Sequence, residues 1–265
     1  MTTIPFQGNA LALSSDGLAT SSGALGVHAQ EIWTVLAVET SGCGFLSDRR
    51  PQILYERHIF HRLTQGRYDD GDISDPTPGG YGPGGAPQYD RLARAIAEDR
   101  NAALQSASWG LGQIMGENFA TAGYAGIEDM VAAMCRSEDD QLSAMASFLI
   151  KSGLHTCLRA HDWTSFARGY NGPNYVINRY DVRLNSEYQK YASGALPDLN
   201  ARAAQLYLKY LGFDPGPVDG VAGAQTLAAY AEFASKRGLP SGGALDANAV
   251  QQLLAALTSP LATSA

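Results

Sequence analysis

The stretch VLAVETSGCGFLSDRRPQILYERHIF, residues 35–60, runs an apolar segment into one glutamate, Glu39, and follows it at once with Ser41, Gly42 and Gly44. From about residue 27, apolar side chains recur at Ile32, Val35, Leu36 and Val38, with Trp33 and Ala37 beside them. That spacing predicts a helix buried on most sides, stopped by the glycines. A carboxyl group on its last turn is half sheltered and faces whatever the glycines leave open. It is either a surface corner or the acid of an enzyme, and the rest of the chain decides.

The chain has 265 residues, 45% hydrophobic and 17% charged, enough for one large or two modest domains. A net charge of −7 argues against nucleic acid as a partner, because phosphate binding needs clustered Lys and Arg. No basic amphipathic helix points to a membrane surface, and no apolar run approaches the length of a membrane span. The opening residues MTTIPFQGNALALSSDGLAT lack a basic region and a sustained apolar stretch, so no signal peptide is expected. Cys43, Cys135 and Cys157 are widely spaced and cannot close a disulfide framework. They read as small hydrophobes, with Cys43, near Glu39, the one to check for reactivity.

Residues 66–87 are half Gly or Pro, which excludes helix and central strand and suggests a surface lobe or lid near a site, or a plain insertion. From Tyr89 the pattern is helical: DRLARAIAEDRNAAL, IEDMVAAMCR, then SEDDQLSAMASFLIKSG between Ser137 and Gly153, and a further helix headed by Asp162. No strand pattern longer than a few residues precedes position 190, so a mainly α fold is expected. YASGALPDLN, 191–200, reads as a linker, drawn most narrowly at 193–198. Beyond it, Arg202, Lys209, Lys236 and Arg237 balance Asp214, Asp219, Glu232 and Asp246, so the −7 lies in the first 198 residues. Residues 199–265 read as three short helices around the turn FDPGPVDGVAG.

The segment LYLKYLGFDPGPVDGVAGAQTLAAYAEFASKRGL resembles the three-helix peptidoglycan-binding domain. Pro215 and Pro217 stiffen its turn, Gly220 and Gly223 allow unusual backbone angles, and Thr226 starts the next helix. The Asp219–Gly220 pair reads as a structural turn. The resemblance implies binding to bacterial wall polymer and no chemistry.

In the first domain, VETSGCGF, SASWGLGQIMG (106–116) and FARGYNGP (166–173) stand in an order that resembles the lysozyme-like superfamily. With FLSDRRPQILYERHIFHRL after the glutamate, the set looks like the N-acetylmuramidase family found in phage endolysins. The implied architecture is a lysozyme-like helical catalytic domain over 1–192, a linker at 193–198 and a peptidoglycan-binding three-helix bundle over 199–265. The implied activity is cleavage of the β-1,4 bond between N-acetylmuramic acid and N-acetylglucosamine, without cofactor or metal.

That reaction needs a proton delivered to a poor leaving group, so the acid must stay protonated near neutral pH. Glu39, beside Val35, Leu36 and Val38, is placed for this, with the glycines expected to let sugar approach it. Gly110 and Gly112 are expected where backbone passes close to sugar. Gln113, Tyr170 and Asn171 are the expected substrate contacts, while Trp109 and Ile114 read as core. A hydrolase also uses a second carboxylate. Glu56 in ILYERHIF is the choice, against the alternative of an ion pair pinning the lobe. Asp48, beside Arg49 and Arg50, reads as a loop charge.

Three other readings stay open. His58 and His61 form H-x-x-H beside Glu56, but His28, His155 and His161 supply no third zinc ligand in a cluster, and H-E-x-x-H is absent. A lytic transglycosylase would cleave the same bond without water and needs only one acid. A non-catalytic wall-binding protein would have no use for the Glu39, Gln113, Tyr170 and Asn171 set. The whole is read as a monomeric phage-type endolysin, held in the host cytoplasm until a partner opens the membrane.

Overall fold

A computed structural model describes residues 5–40, 43–68, 70–240 and 244–258. Ser41 and Gly42 lie outside the described residues. The fold is mainly α, with one small sheet. Helices α1 (Ser15–Leu25) and α2 (Ala29–Glu39) lead into strand β1 (Ile53–Tyr55) and helix α3 (Arg57–Leu63). Then come α4 (Pro87–Glu98), α5 (Arg100–Gln105), β2 (Ala107–Trp109) and β3 (Ile114–Met115). The helices α6 (Ile127–Arg136), α7 (Glu138–Lys151), α8 (Leu154–Ala160), α9 (Trp163–Asn171) and α10 (Tyr180–Ser193) follow. The chain closes on α11 (Leu199–Tyr210), α12 (Ala224–Lys236) and α13 (Ala247–Thr258).

Local chemistry sets the helix ends. Glu31 accepts from the His28 N–H at the start of α2, and the side chains of Ser137, Asp162 and Asp198 cap α7, α9 and α11. One helix read from the sequence divides in two. Asp99 leaves the helical region at φ −152°, ψ 100°, ends α4, and accepts from Ala102 N to start α5. The antiparallel sheet, in order β1-β2-β3, pairs Ile53 with Trp109 and Trp109 with Ile114. Its strands are too short to leave a period-two pattern.

The lobe after α3 is fastened down. Gln88 Nε2 donates to the carbonyls of Tyr81 and Pro83, Arg91 donates to those of Tyr81 and Asp72, and Tyr55 donates to that of Ile73, a buried residue. It is a fixed wall, not a free flap.

One apolar core joins the first ten helices and the sheet around Trp109, Phe60, Leu36 and Phe166. A second joins α11, α12 and α13 through Leu206, Tyr207, Phe233 and Leu253, and takes in Ala10, Ala12, Cys43 and Phe45 from the first part of the chain. At its turn, the buried Gln205 accepts from Asp219 N and Gly220 N and donates to Asp219 Oδ1. Asp219 and Gly220 are thus engaged in holding the turn, and a Cβ on Gly220, at φ +75°, would meet Pro197 and Asp198.

Candidate active site

Glu39 ends α2 as a half-buried residue, and burial raises its pKa. Two groups work against that rise. Asn171, at the end of α9, donates from Nδ2 to Glu39 Oε1 at 3.0 Å, and the positive charge of Arg183 on α10 favours ionisation. Arg183 is held in place by its own bond to Val38 O, 3.0 Å. Asn171 Oδ1 is buried and has no hydrogen-bond partner among the described residues. Burial therefore favours the protonated form of Glu39, while Asn171 supplies a donor and Arg183 a cation that favour the carboxylate.

Glu56 occupies the N-cap position of α3, yet its side chain makes no capping bond. It turns instead to His58, whose Nδ1 lies 3.1 Å from Oε2, and to the Tyr81 hydroxyl from the fixed lobe. Its pKa is raised by burial first, against the lowering influence of His58 and Tyr81. Tyr180, at the start of α10, feels the charge of Glu39, and Tyr81 feels Tyr180 in turn. Tyr180 is thus near enough to Glu39, and Tyr81 near enough to Glu56, for charge on one to be felt by the other.

Gln113 stands in the tight loop joining β2 to β3, at φ +46°. Its Nε2 donates to Gly110 O at 2.9 Å and Gln52 O at 3.3 Å, and its Oε1 accepts from Ser108. The amide is occupied in shaping its own loop. Tyr170 donates to Gly112 O, stacks on Phe166 and meets Phe148 edge-on. Burial, then the charge of Glu39, pushes its hydroxyl well above the usual tyrosine value.

Asn171 therefore meets Glu39 from α9, Tyr170 lies near enough to feel its charge, and Gln113 buttresses its own loop. The glycines that the structure describes have a packing role of their own. A Cβ on Gly44 or Gly110 would strike the Gln141 side chain, and one on Gly112 would strike Met145. A side chain at these positions would meet α7, so its packing alone requires glycine there. Asp48 is engaged with Arg50, 2.7 Å away, as a loop charge would be. Cys43 is buried and its thiol is pushed up to about 11, by burial and then by Glu138, which leaves it inert near neutral pH. His61 pairs with Ser74, and among the described residues no group of three His, Cys, Asp or Glu side chains is placed to hold a metal ion. Three site neighbours escape sequence reading: Tyr81, hidden in a Gly/Pro-rich lobe, and Tyr180 and Arg183, on an exposed-looking helix without a motif.

Residues 28–192 match the family model described as N-acetylmuramidase, and residues 198–253 match the model described as "Putative peptidoglycan binding domain". Among solved structures, the chain is similar to the crystal structure of the Burkholderia AP3 phage endolysin. The two share 35% identity with a TM-score of 0.62, over 72% of this chain and 73% of that one. No curated protein matches.

Proposed function

Because the chain belongs to the N-acetylmuramidase family and is a glycoside hydrolase acting on peptidoglycan, we propose that it is an endolysin hydrolysing the β-1,4 bond between N-acetylmuramic acid and N-acetylglucosamine, with Glu39 as general acid. The observation that carries this reading is the half-buried Glu39 with Asn171 donating to Oε1. With Oε1 engaged, Oε2 is the oxygen left to bear the proton. It passes that proton to the glycosidic oxygen as the C1–O bond breaks and positive charge grows on the sugar. The carboxylate so formed is met by the Asn171 N–H and the Arg183 charge, so the group that resisted ionisation is stabilised after transfer. Glu56 is the second carboxylate. It takes a proton from the water whose oxygen bonds to C1, or faces the cationic sugar as a nucleophile would.

Asn171 Oδ1, buried without a partner among the described residues, would accept from a sugar hydroxyl or an N-acetyl N–H. Gln113 and Tyr170 would bound the same groove while holding its loop. Residues 1–192 form the catalytic domain in this reading, 193–198 the linker and 199–265 the wall-binding module. The chain acts as a monomer on the wall after release from the host cytoplasm. No helix among the described residues is long and apolar enough to cross a membrane.

A second reading has its own support. His58 and Tyr81 engage Glu56 as they would a structural carboxyl. Glu39 would then act alone, as in a lytic transglycosylase, and leave 1,6-anhydro ends. Mass spectrometry of fragments released from purified peptidoglycan separates the two. Reducing N-acetylmuramic ends that disappear in Glu39→Gln support the hydrolase, and anhydro ends support the transglycosylase. Released peptides with intact glycan would overturn both.

A further inference from the structure

The Glu138 carboxylate is fully buried at the head of α7 and ties three separated segments together. Leu13 N donates to Oε2 at 2.8 Å, and Gly44 N, on the segment that follows Glu39, donates to Oε1 at 2.8 Å. The Arg202 guanidinium grips both oxygens, with Nη2 2.8 Å from Oε1. Arg202 belongs to α11, the first helix of the C-terminal bundle, and is only 1% exposed. Its guanidinium also faces the Trp33 ring at 5.6 Å, on the same helix that ends in Glu39.

The surrounding contacts extend this junction. Tyr207 accepts from Ala12 N and Tyr210 donates to Ala10 O, and Cys43 and Phe45 lie in the apolar core of the bundle. On α7, one turn beyond Glu138, Gln141 accepts from Leu111 N and presses on Gly44 and Gly110. Gln52 completes the ring, donating to Gly44 O and accepting from Gly110 N. Gly44, Gln52 and the loop of Gln113 thus share one polar frame. A buried ion pair is a poor source of net stability, since apolar replacements are often as stable. What it supplies here is one defined geometry, a bidentate fork that only arginine makes.

We propose that Arg202 is a positioning residue for the acid: the wall-binding module, through Arg202, holds Glu138 with Gly44 and faces Trp33 on the helix that ends in Glu39, and so is part of the frame of the catalytic centre, not a tether. The proposal rests on the reading of Glu39 as the acid. It predicts that perturbing Arg202 alters turnover on a substrate that needs no wall binding. It also predicts a change in how Glu39 titrates among its neighbours, Tyr170 and Asn171 of α9 and Tyr180 and Arg183 of α10.

The test uses full-length wild type, Arg202→Lys, Arg202→Met and Glu138→Gln on short, soluble, uncross-linked glycan strands, well below each melting temperature. The expected result is a kcat lowered by at least about tenfold with KM nearly unchanged, as displacement of a catalytic group by a fraction of an ångström can produce. The basic limb of the pH profile moves to lower pH as water reaches Glu39. Arg202→Lys, which keeps the charge and loses the fork, behaves like Arg202→Met and carries the comparison should the latter not fold. Unchanged kcat and pH limb in folded variants with a lowered melting temperature would overturn the proposal and reduce the pair to a structural one. A wild type that forms no new glycan ends would overturn the reading of Glu39 itself, a result distinct from wild-type activity that the variants retain.

Discussion

Replacement of Glu39 by Gln separates chemistry from architecture, because the amide can still accept the Asn171 N–H at Oε1 while lacking the proton to give. Loss of a general acid costs about 10²–10⁴ in rate, or roughly 3–5 kcal/mol of transition-state stabilisation. The same change acts on stability with the opposite sign. Burial raises the Glu39 pKa in the folded state, so folding favours the protonated form. Its contribution is fully present below the unfolded carboxyl value and is lost as pH rises through the raised folded value. Glutamine carries no such penalty. Each unit by which the folded value exceeds the unfolded one is about 1.4 kcal/mol above that window, which corresponds to roughly 3–6 °C in melting temperature for a domain of this size. Glycan release and thermal unfolding of both proteins at pH 5 and pH 8 measure the two effects together. The expected outcome is an inactive variant that melts higher than wild type at pH 8 and little differently at pH 5. Activity within tenfold of wild type, or equal destabilisation at both pH values, would refute the reasoning.

Four further outcomes are expected. Glu56→Gln lowers hydrolysis about 10²-fold or more if Glu56 handles the water; a loss under tenfold with a lower melting temperature would assign it to pinning the lobe. Tyr81→Phe removes a hydroxyl whose influence favours ionised Glu56, so the Glu56 pKa rises and the acid limb of the activity profile moves to higher pH, as a kcat/KM titration would register. Cys43 resists alkylation in the folded protein at pH 7.5, because burial holds its thiol near 11, and becomes labelled in denaturant when followed by mass spectrometry. Activity on purified wall is insensitive to EDTA, and inhibition reversed by added zinc would return His58 and His61 to consideration.

The features legible in the sequence are those set by near neighbours. The apolar spacing before Glu39 forecasts α2 and its terminus, Ser137 and Asp162 announce the helices they cap, and the FDPGPVDG turn carries its own instructions. The features missed depend on distant partners. Ser137 with three acidic residues reads as a helix start, and nothing local tells that Glu138 turns inward to meet Arg202 across the chain while Asp139 meets Ser14 and Asp140 stays with Arg136. Gly44, Gly110 and Gly112 announce a need for space, but the occupant is α7, which sequence order does not disclose. Asn171 reads as a groove wall, and its bond to Glu39 Oε1 joins α9 to the end of α2, a contact sequence order does not disclose. Asp99 reads as one residue of a continuous helix because its effect is a change of backbone direction, not of periodicity.

The most direct test of Glu39-catalysed hydrolysis is digestion of purified peptidoglycan in H₂¹⁸O, with mass analysis of every new glycan end. Hydrolysis at the muramic C1 predicts reducing N-acetylmuramic ends carrying one ¹⁸O in the wild type and none formed by Glu39→Gln. Anhydro ends without label, or label confined to N-acetylglucosamine or peptide termini, would contradict it.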